Sequence, residues 1–143
     1  MASRYDKNKK CRVGTMDGAQ FYKEADSANG ACFKSILRAW TGAGGATKWG
    51  AGGVGLRGVI AGTEVGLCFL APAYAGKKDR IELSLTPLSK QIGARRCDAL
   101  GRSLREIAGD RLKGQSMVSI VDPGGLPASA RRALTSTLCE LIR

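Results

Sequence analysis

The chain contains no histidine, and its five cysteines are too widely spaced to form a C-x-x-C pair. Structural zinc sites need clustered Cys and His ligands, so the usual zinc patterns are excluded and we expect no bound metal. Histidine is also the commonest general base, and without it neither a Ser-His nor a Cys-His pair can form. No Ser-x-x-Lys motif supplies a lysine in its place. We therefore expect a protein that is not an enzyme, with no catalytic residues and no cofactor.

Two acidic pairs, Asp79/Glu82 and Glu106/Asp110, remain as candidates for carboxylate chemistry. Both pairs lie beside Arg or Lys, in segments whose patterns predict a strand and a helix. Such pairs on the surface of an element are more often solvated ion pairs than metal ligands. We interpret them as surface charges.

Long hydrophobic runs are absent as well. No apolar stretch approaches the roughly 20 residues that a bilayer-spanning helix needs. The basic N-terminus is not followed by an apolar segment, as it would be in a secretory signal. An odd number of scattered cysteines is also unlike a secreted disulfide framework. These features predict a soluble protein with no membrane partner, in a reducing intracellular compartment, where Cys32, Cys97 and Cys139 are small buried hydrophobic residues.

Acidic residues are scarce relative to basic ones. Lys and Arg total 23 against 12 Asp and Glu, which gives a net charge of +11 over 143 residues. A domain this basic attracts polyanions, chiefly nucleic acid. The imbalance is greatest in residues 1–12, where five basic side chains accompany one acid, and in residues 27–63, which contain no acid.

The hydrophobic patterns predict a basic flexible arm over residues 1–12, followed by a single α+β domain over residues 13–143. Apolar residues at helical spacing predict helices over 27–42, 94–113 and 127–143, while alternating or continuous apolar runs predict strands over 54–62, 63–72, 79–87 and 116–121. The dipeptide Asp17-Gly18 predicts a tight turn between two short strands. We expect a small, mainly antiparallel sheet with about three helices, two of them towards the C-terminus.

A glycine-rich stretch, residues 41–55 (TGAGGATKWGAGGVG), contains seven glycines and a G-x-G-x-x-G match at Gly50–Gly55. A dinucleotide-binding loop follows a strand, precedes a helix and has an acid about 20 residues further on. Here a helix precedes the glycines, a strand follows them, and Glu64 is only nine residues past Gly55. We interpret the match as accidental and the stretch as a loop without a strand of its own, whose backbone N–H groups approach phosphates.

The basic charge and the glycine stretch predict a non-enzymatic protein that binds nucleic acid, either RNA or single-stranded DNA. A flexible strand is favoured over a duplex groove because no helix-turn-helix or zinc-finger pattern occurs. The ring of Trp49 either stacks on bases or packs into the core, and the sequence leaves both open. The candidate nucleic-acid-binding residues are Lys7, Lys9, Lys10 and Arg12 in the arm, Lys48, Trp49 and Arg57 at the glycines, and Arg95, Arg102 and Arg105 on a helix.

The alternative is a self-assembling structural protein, such as a viral or phage coat or a subunit of a ribonucleoprotein particle. In that case the basic arm would neutralise packaged nucleic acid, and the protein would reside in a virion or particle. The leucine-rich face of the C-terminal helix would then form a homo-oligomer interface.

Overall fold

The computed structural model describes residues 5–6, 11–12, 15–60, 62–74 and 76–142, with the backbone alone for the first two ranges. The strands in these ranges are β1 (Tyr5–Asp6), β2 (Cys11–Arg12), β3 (Ala46–Trp49), β4 (Val54–Ile60), β5 (Thr63–Ala71), β6 (Arg80–Ser84), β7 (Leu112–Lys113) and β8 (Met117–Val121). The α-helices are α1 (Gly18–Glu24), α2 (Ser27–Gly42), α3 (Leu85–Ile92), α4 (Ala94–Ala108) and α5 (Ala128–Cys139). Three-residue 3-10 turns follow α4, β8 and α5.

Strands β3 to β8 form one antiparallel sheet in the order β3-β4-β5-β6-β8-β7, and β1 pairs with β2 separately. The first four strands of this sheet are neighbours both in sequence and in space. After β6 the chain leaves the sheet to form α3, α4 and β7, and then returns as β8 beside β6. The predicted α+β class and antiparallel sheet are confirmed. The expectation of about three helices is wrong, because the described residues form five.

The large sheet has one buried and one uncovered face, because successive side chains of a strand point to opposite sides. In β4, Val54 and Leu56 are fully buried, whereas Gly55 and Arg57 between and beside them are only partly buried. Helix α5 packs against both α2 and α4, and the three helices share a single hydrophobic core with the buried strand residues. The helical layer therefore covers one face of the sheet.

Helix α2 spans Ser27–Gly42, as its apolar spacing predicts, and buries Phe33, Ile36 and Trp40 in this core. The indole Nε1 of Trp40 donates to the carbonyl oxygens of Ala46, at 2.9 Å, and of Arg57, at 3.1 Å. A buried ring whose polar group is satisfied in this way fixes the helix against β3 and β4.

The predicted hairpin around Asp17-Gly18 is wrong, because residues 18–24 form helix α1. The Asp17 side chain accepts a hydrogen bond from the backbone N–H of Gln20 at 2.8 Å, which is the N-cap interaction of a helix. Phe21 of α1 is completely buried and packs beside Phe33 of α2, with ring centroids 5.3 Å apart. Asp17 therefore begins a helix where the Asp-Gly pair suggested a turn.

The expected strand over residues 79–87 is shorter than predicted, because β6 ends at Ser84 and α3 begins at Leu85. Pro87 is the third residue of α3, where its missing N–H costs no helical hydrogen bond. The long helix expected over 94–113 ends at Ala108, and Gly109 follows with a φ of 55°. Glycine adopts this conformation readily, and the chain then turns to form β7.

A buried polar cluster joins three distant segments, and its centre is Asp79, which is only 4 % exposed. One carboxylate oxygen accepts from the backbone N–H of Ala73 at 2.6 Å, while the other accepts from the backbone N–H of Asp26 at 2.8 Å and the amide of Asn29 at 2.9 Å. The Asn29 side-chain oxygen accepts in turn from the backbone N–H of Gly124 at 2.8 Å. The interpretation of Asp79 as a solvated surface charge is therefore wrong.

Cys32, Cys68, Cys97 and Cys139 are buried, as predicted for the three of them that lie on helices. Burial raises the pKa of the Cys68 thiol far above its ordinary value. The folded protein then keeps this proton at a pH where the unfolded chain releases it.

We expect the free energy of unfolding to fall as pH rises above about 8.5, the ordinary pKa of a thiol, because only the unfolded state loses protons there. Below that pH the contribution of Cys68 is fully present. Urea titrations between pH 7 and pH 10 measure the slope in wild type and in Cys68→Ala, with reductant present. The slope should be shallower in the variant, although burial also raises the pKa of Cys32 and Tyr22. Equal slopes in the two proteins would contradict the role of Cys68.

Candidate nucleic-acid interface

A row of directly opposed residues crosses the face of the sheet opposite the helices. Register pairs link Lys48 to Gly55, Gly55 to Phe69, and Phe69 to Glu82. The row continues from Glu82 through Ser119 to Lys113. Directly opposed residues in antiparallel strands project to the same face, so this cross-strand row spans every strand of the large sheet. At about 4.8 Å between strands, the row is roughly 24 Å long.

We call this uncovered surface the open face. Part of it forms a groove of about 360 Å³ in which Arg57, Ser84 and Met117 join members of the cross-strand row. Met117 is 54 % exposed, and Val59, which occupies the same face as Arg57 in β4, is 61 % exposed. The open face therefore combines exposed apolar groups with basic side chains.

Phe69 lies at the centre of the open face and rests on glycines. A Cβ atom added at either Gly52 or Gly55 would lie 3.8 Å from the Phe69 ring. A side chain at either position would therefore touch the ring, and the Phe69 side chain remains partly exposed. A partly exposed aromatic ring on a sheet is a suitable surface for base stacking.

Charge on the open face is mixed, with basic residues in excess. The Arg57 Nε lies 3.0 Å from Glu64 Oε1, and Arg80 pairs with Glu82. Lys48 and Lys113 are exposed, and neither pairs with an acidic side chain in the part of the chain that the structure describes. These two lysines occupy the opposite ends of the cross-strand row. The row therefore has a cation at each edge and an aromatic ring near its middle.

The glycine-rich stretch is better ordered than expected, because residues 46–49 form β3 and pair with β4. This pairing supplies the hydrogen bonds that a glycine-rich segment cannot provide for itself. Trp49 lies on the helix-covered face, where its ring centroid is 5.4 Å from that of Phe21, and its strand partner Val54 is fully buried. Of the two alternatives for Trp49, its position matches packing against the core.

Other predicted residues lie elsewhere. Lys7, Lys9, Lys10 and the side chain of Arg12 lie outside the described residues. Arg95, Arg102 and Arg105 are exposed on α4. Arg102 and Arg105 line a second groove, whereas Arg95 does not. The structure thus brings Lys48 and Arg57 together on the open face and separates them from the helix arginines.

Phe69, Lys113 and Met117 belong to the open face and were not among the predicted residues. Phe69 was missed because it lies in the apolar run LCFLA. The register between β4 and β5 shifts at Leu56 and Arg57, so apolar and polar residues do not alternate regularly along β5. Lys113 was assigned to the end of a helix. The alternation along β8 could have indicated that Met117 lies on the open face, because Val118 and Ile120 are the buried residues of that strand.

Searches against protein-family profiles, curated proteins and solved structures give no match to this chain. In the described ranges, no helix has both the length and the hydrophobicity that a membrane crossing requires. The same residues contain no group of three or more Cys, Asp and Glu side chains arranged to hold a metal ion.

Proposed function

We propose that this protein binds single-stranded nucleic acid, RNA or DNA, on the open face of its sheet. The observation that carries the proposal is the cross-strand row, in which Phe69 lies between Lys48 and Lys113 at the two edges. Bases stack on an aromatic ring whatever their identity, while lysines contact phosphates. The net charge of +11 adds long-range attraction for any polyanion.

A single strand suits this surface better than a duplex does. A flat sheet exposes a ring to bases that are already unstacked, whereas a duplex hides its bases from it. Part of the positive charge is already neutralised, because Arg57 pairs with Glu64 and Arg80 pairs with Glu82. Binding on the open face should therefore depend on stacking at Phe69 as much as on phosphate contacts.

Phe69→Leu is expected to weaken binding of a fluorescently labelled oligothymidylate by about 5- to 150-fold, the equivalent of the 1–3 kcal/mol that base stacking contributes. Leucine keeps apolar bulk against the glycines but provides no ring. Fluorescence anisotropy measures the dissociation constant, and a thermal melt verifies that each variant is folded.

Phe69→Tyr is the matched control, because it keeps the ring and should bind as wild type does. Equal affinity of the leucine variant and wild type would overturn stacking at this position. A wild-type protein that binds neither oligothymidylate nor oligouridylate would overturn the function itself.

Self-assembly remains a second proposal, and the exposed Val59 and Met117 on the open face favour it. The leucines of α5 and of the turn that follows it offer self-assembly no support, because Leu134, Leu138 and Leu141 are buried in the protein's own core. Size-exclusion chromatography with light scattering and absorbance at 260 and 280 nm separates the alternatives. A large particle containing nucleic acid supports assembly, and a small species that binds added oligonucleotide supports the binding function.

A further inference from the structure

A second groove, of about 450 Å³, lies between α3, α4 and the turn that joins β7 to β8. We call it the α3–α4 groove. Its polar lining includes hydroxyl, amide and guanidinium groups that can donate hydrogen bonds to phosphate oxygens. The polar residues that line it are Thr86, Ser89, Asp98, Arg102, Arg105, Gln115 and Ser116.

The α3–α4 groove begins where the groove of the open face ends. Ser84 and Met117 are register partners that line the open-face groove. Their chain neighbours Leu85 and Ser116 line the α3–α4 groove, and the backbone N–H of Leu85 donates to the Ser116 carbonyl at 2.7 Å. The two grooves are therefore lined by adjacent residues on both chain segments. A strand that leaves the open face at Met117 meets the α3–α4 groove next.

The charge in the α3–α4 groove is suited to phosphate. Arg102 and Arg105 are exposed, and neither forms an ion pair within the part of the chain that the structure describes. Asp98 is the acidic residue that lines the same groove. It lies about 6 Å along the helix axis from Arg102 and about 10 Å from Arg105, at 1.5 Å per residue. Two guanidinium groups against one carboxylate leave the groove positively charged.

We propose that the open face and the α3–α4 groove form one continuous binding track, in which Arg102 and Arg105 contact phosphates of a strand whose bases stack at Phe69. The proposal rests on the proposed function and extends the same site. It makes the binding site longer than the sheet is wide. Its consequence is that long strands use contacts that short strands cannot reach.

The test compares a 4-nucleotide and a 12-nucleotide oligothymidylate, each titrated by anisotropy at several salt concentrations. Each phosphate contact adds about 0.7 to the slope of log affinity against log salt for a single strand, so two arginines should steepen the slope of the longer oligonucleotide by about 1.4. The double variant Arg102→Gln/Arg105→Gln should lose this additional slope with the 12-mer. Because a 4-mer bound at Phe69 does not reach Arg102 and Arg105, the variant should lose far less affinity for the 4-mer than for the 12-mer.

The matched control removes two charges from the exposed side of α2, as Lys34→Gln/Arg38→Gln. It should keep the steeper slope with the 12-mer. The track is overturned if the α4 variant binds the 12-mer as wild type does, if it weakens both lengths equally, or if the α2 variant loses the same slope. In each of these cases the proposed function still holds if wild type binds the 4-mer and Phe69→Leu weakens that binding. Failure of wild type to bind either length overturns both proposals.

Discussion

Asp79→Ala is expected to lower the free energy of unfolding by about 3–6 kcal/mol, because a buried donor that loses its partner costs about 1–3 kcal/mol. The substitution leaves the backbone N–H groups of Asp26 and Ala73 and the amide of Asn29 without their acceptor. Small domains are stable by about 5–15 kcal/mol, so this loss is a large share of the total. Urea unfolding followed by circular dichroism measures it.

Asp98→Ala is the matched control, because that carboxylate is exposed on α4 and should leave the free energy of unfolding nearly unchanged. The loss in free energy of unfolding for Asp79→Asn should lie between those of the two alanine variants. Asparagine keeps one acceptor oxygen, but its amide group faces donors. A loss in Asp79→Ala no greater than in Asp98→Ala would show that the cluster does not stabilise the fold.

Gly53→Ala is expected to destabilise the protein by about 2–6 kcal/mol, from overpacking together with an unfavourable backbone conformation. Gly53 has a φ of 149°, which residues with a Cβ rarely adopt. A Cβ there would collide with the Leu70 carbonyl oxygen and lie 3.1 Å from the carbonyl carbon. That carbonyl belongs to β5, so it cannot move away without disturbing the pairing of β4 and β5. The midpoint of thermal or urea unfolding reports the effect.

Gly42→Ala supplies the comparison, because nothing lies within 4 Å of an added Cβ and the residue ends α2. Alanine favours helix over glycine, so this variant should be as stable as wild type or more stable. Equal stabilities for the two variants would mean that there is room for a Cβ atom between residue 53 and the Leu70 carbonyl.

Much of the fold follows from local patterns in the sequence. The apolar spacing of Phe33, Ile36 and Trp40 fixed the bounds of α2 because a single amphipathic period dominates that segment. Strands β4, β5 and β8 were found because their apolar residues are β-branched or alternate. Helix α3 was missed because the alternation of β6 runs directly into it and Pro87 reads as a stop signal. Strand β3 was missed because it is stabilised by pairing with β4 and not by a pattern in its own residues.

The candidate site was harder to predict, because strand register assembles it. Charge alone indicated Lys48 and Arg57, and both lie on the open face. Phe69 joins them through pairing between β4 and β5, which local sequence patterns do not specify. Lys113 reaches the same row only because β7 pairs with β8 at the far edge. Sequence reasoning therefore identified a charged end of the row but not its aromatic centre.

The long chain segment between β6 and β8, which leaves the sheet and returns to it, affects the order of folding. Strands β3 to β6 pair with near neighbours along the chain, so forming their contacts closes only short loops. Pairing of β8 with β6 must close the long segment that holds α3 and α4, and the hydrogen bond from Gly124 to Asn29 joins residues 95 apart. Because long loops lose more entropy on closing, we expect the meander to form first and the Gly124 contact to form among the last.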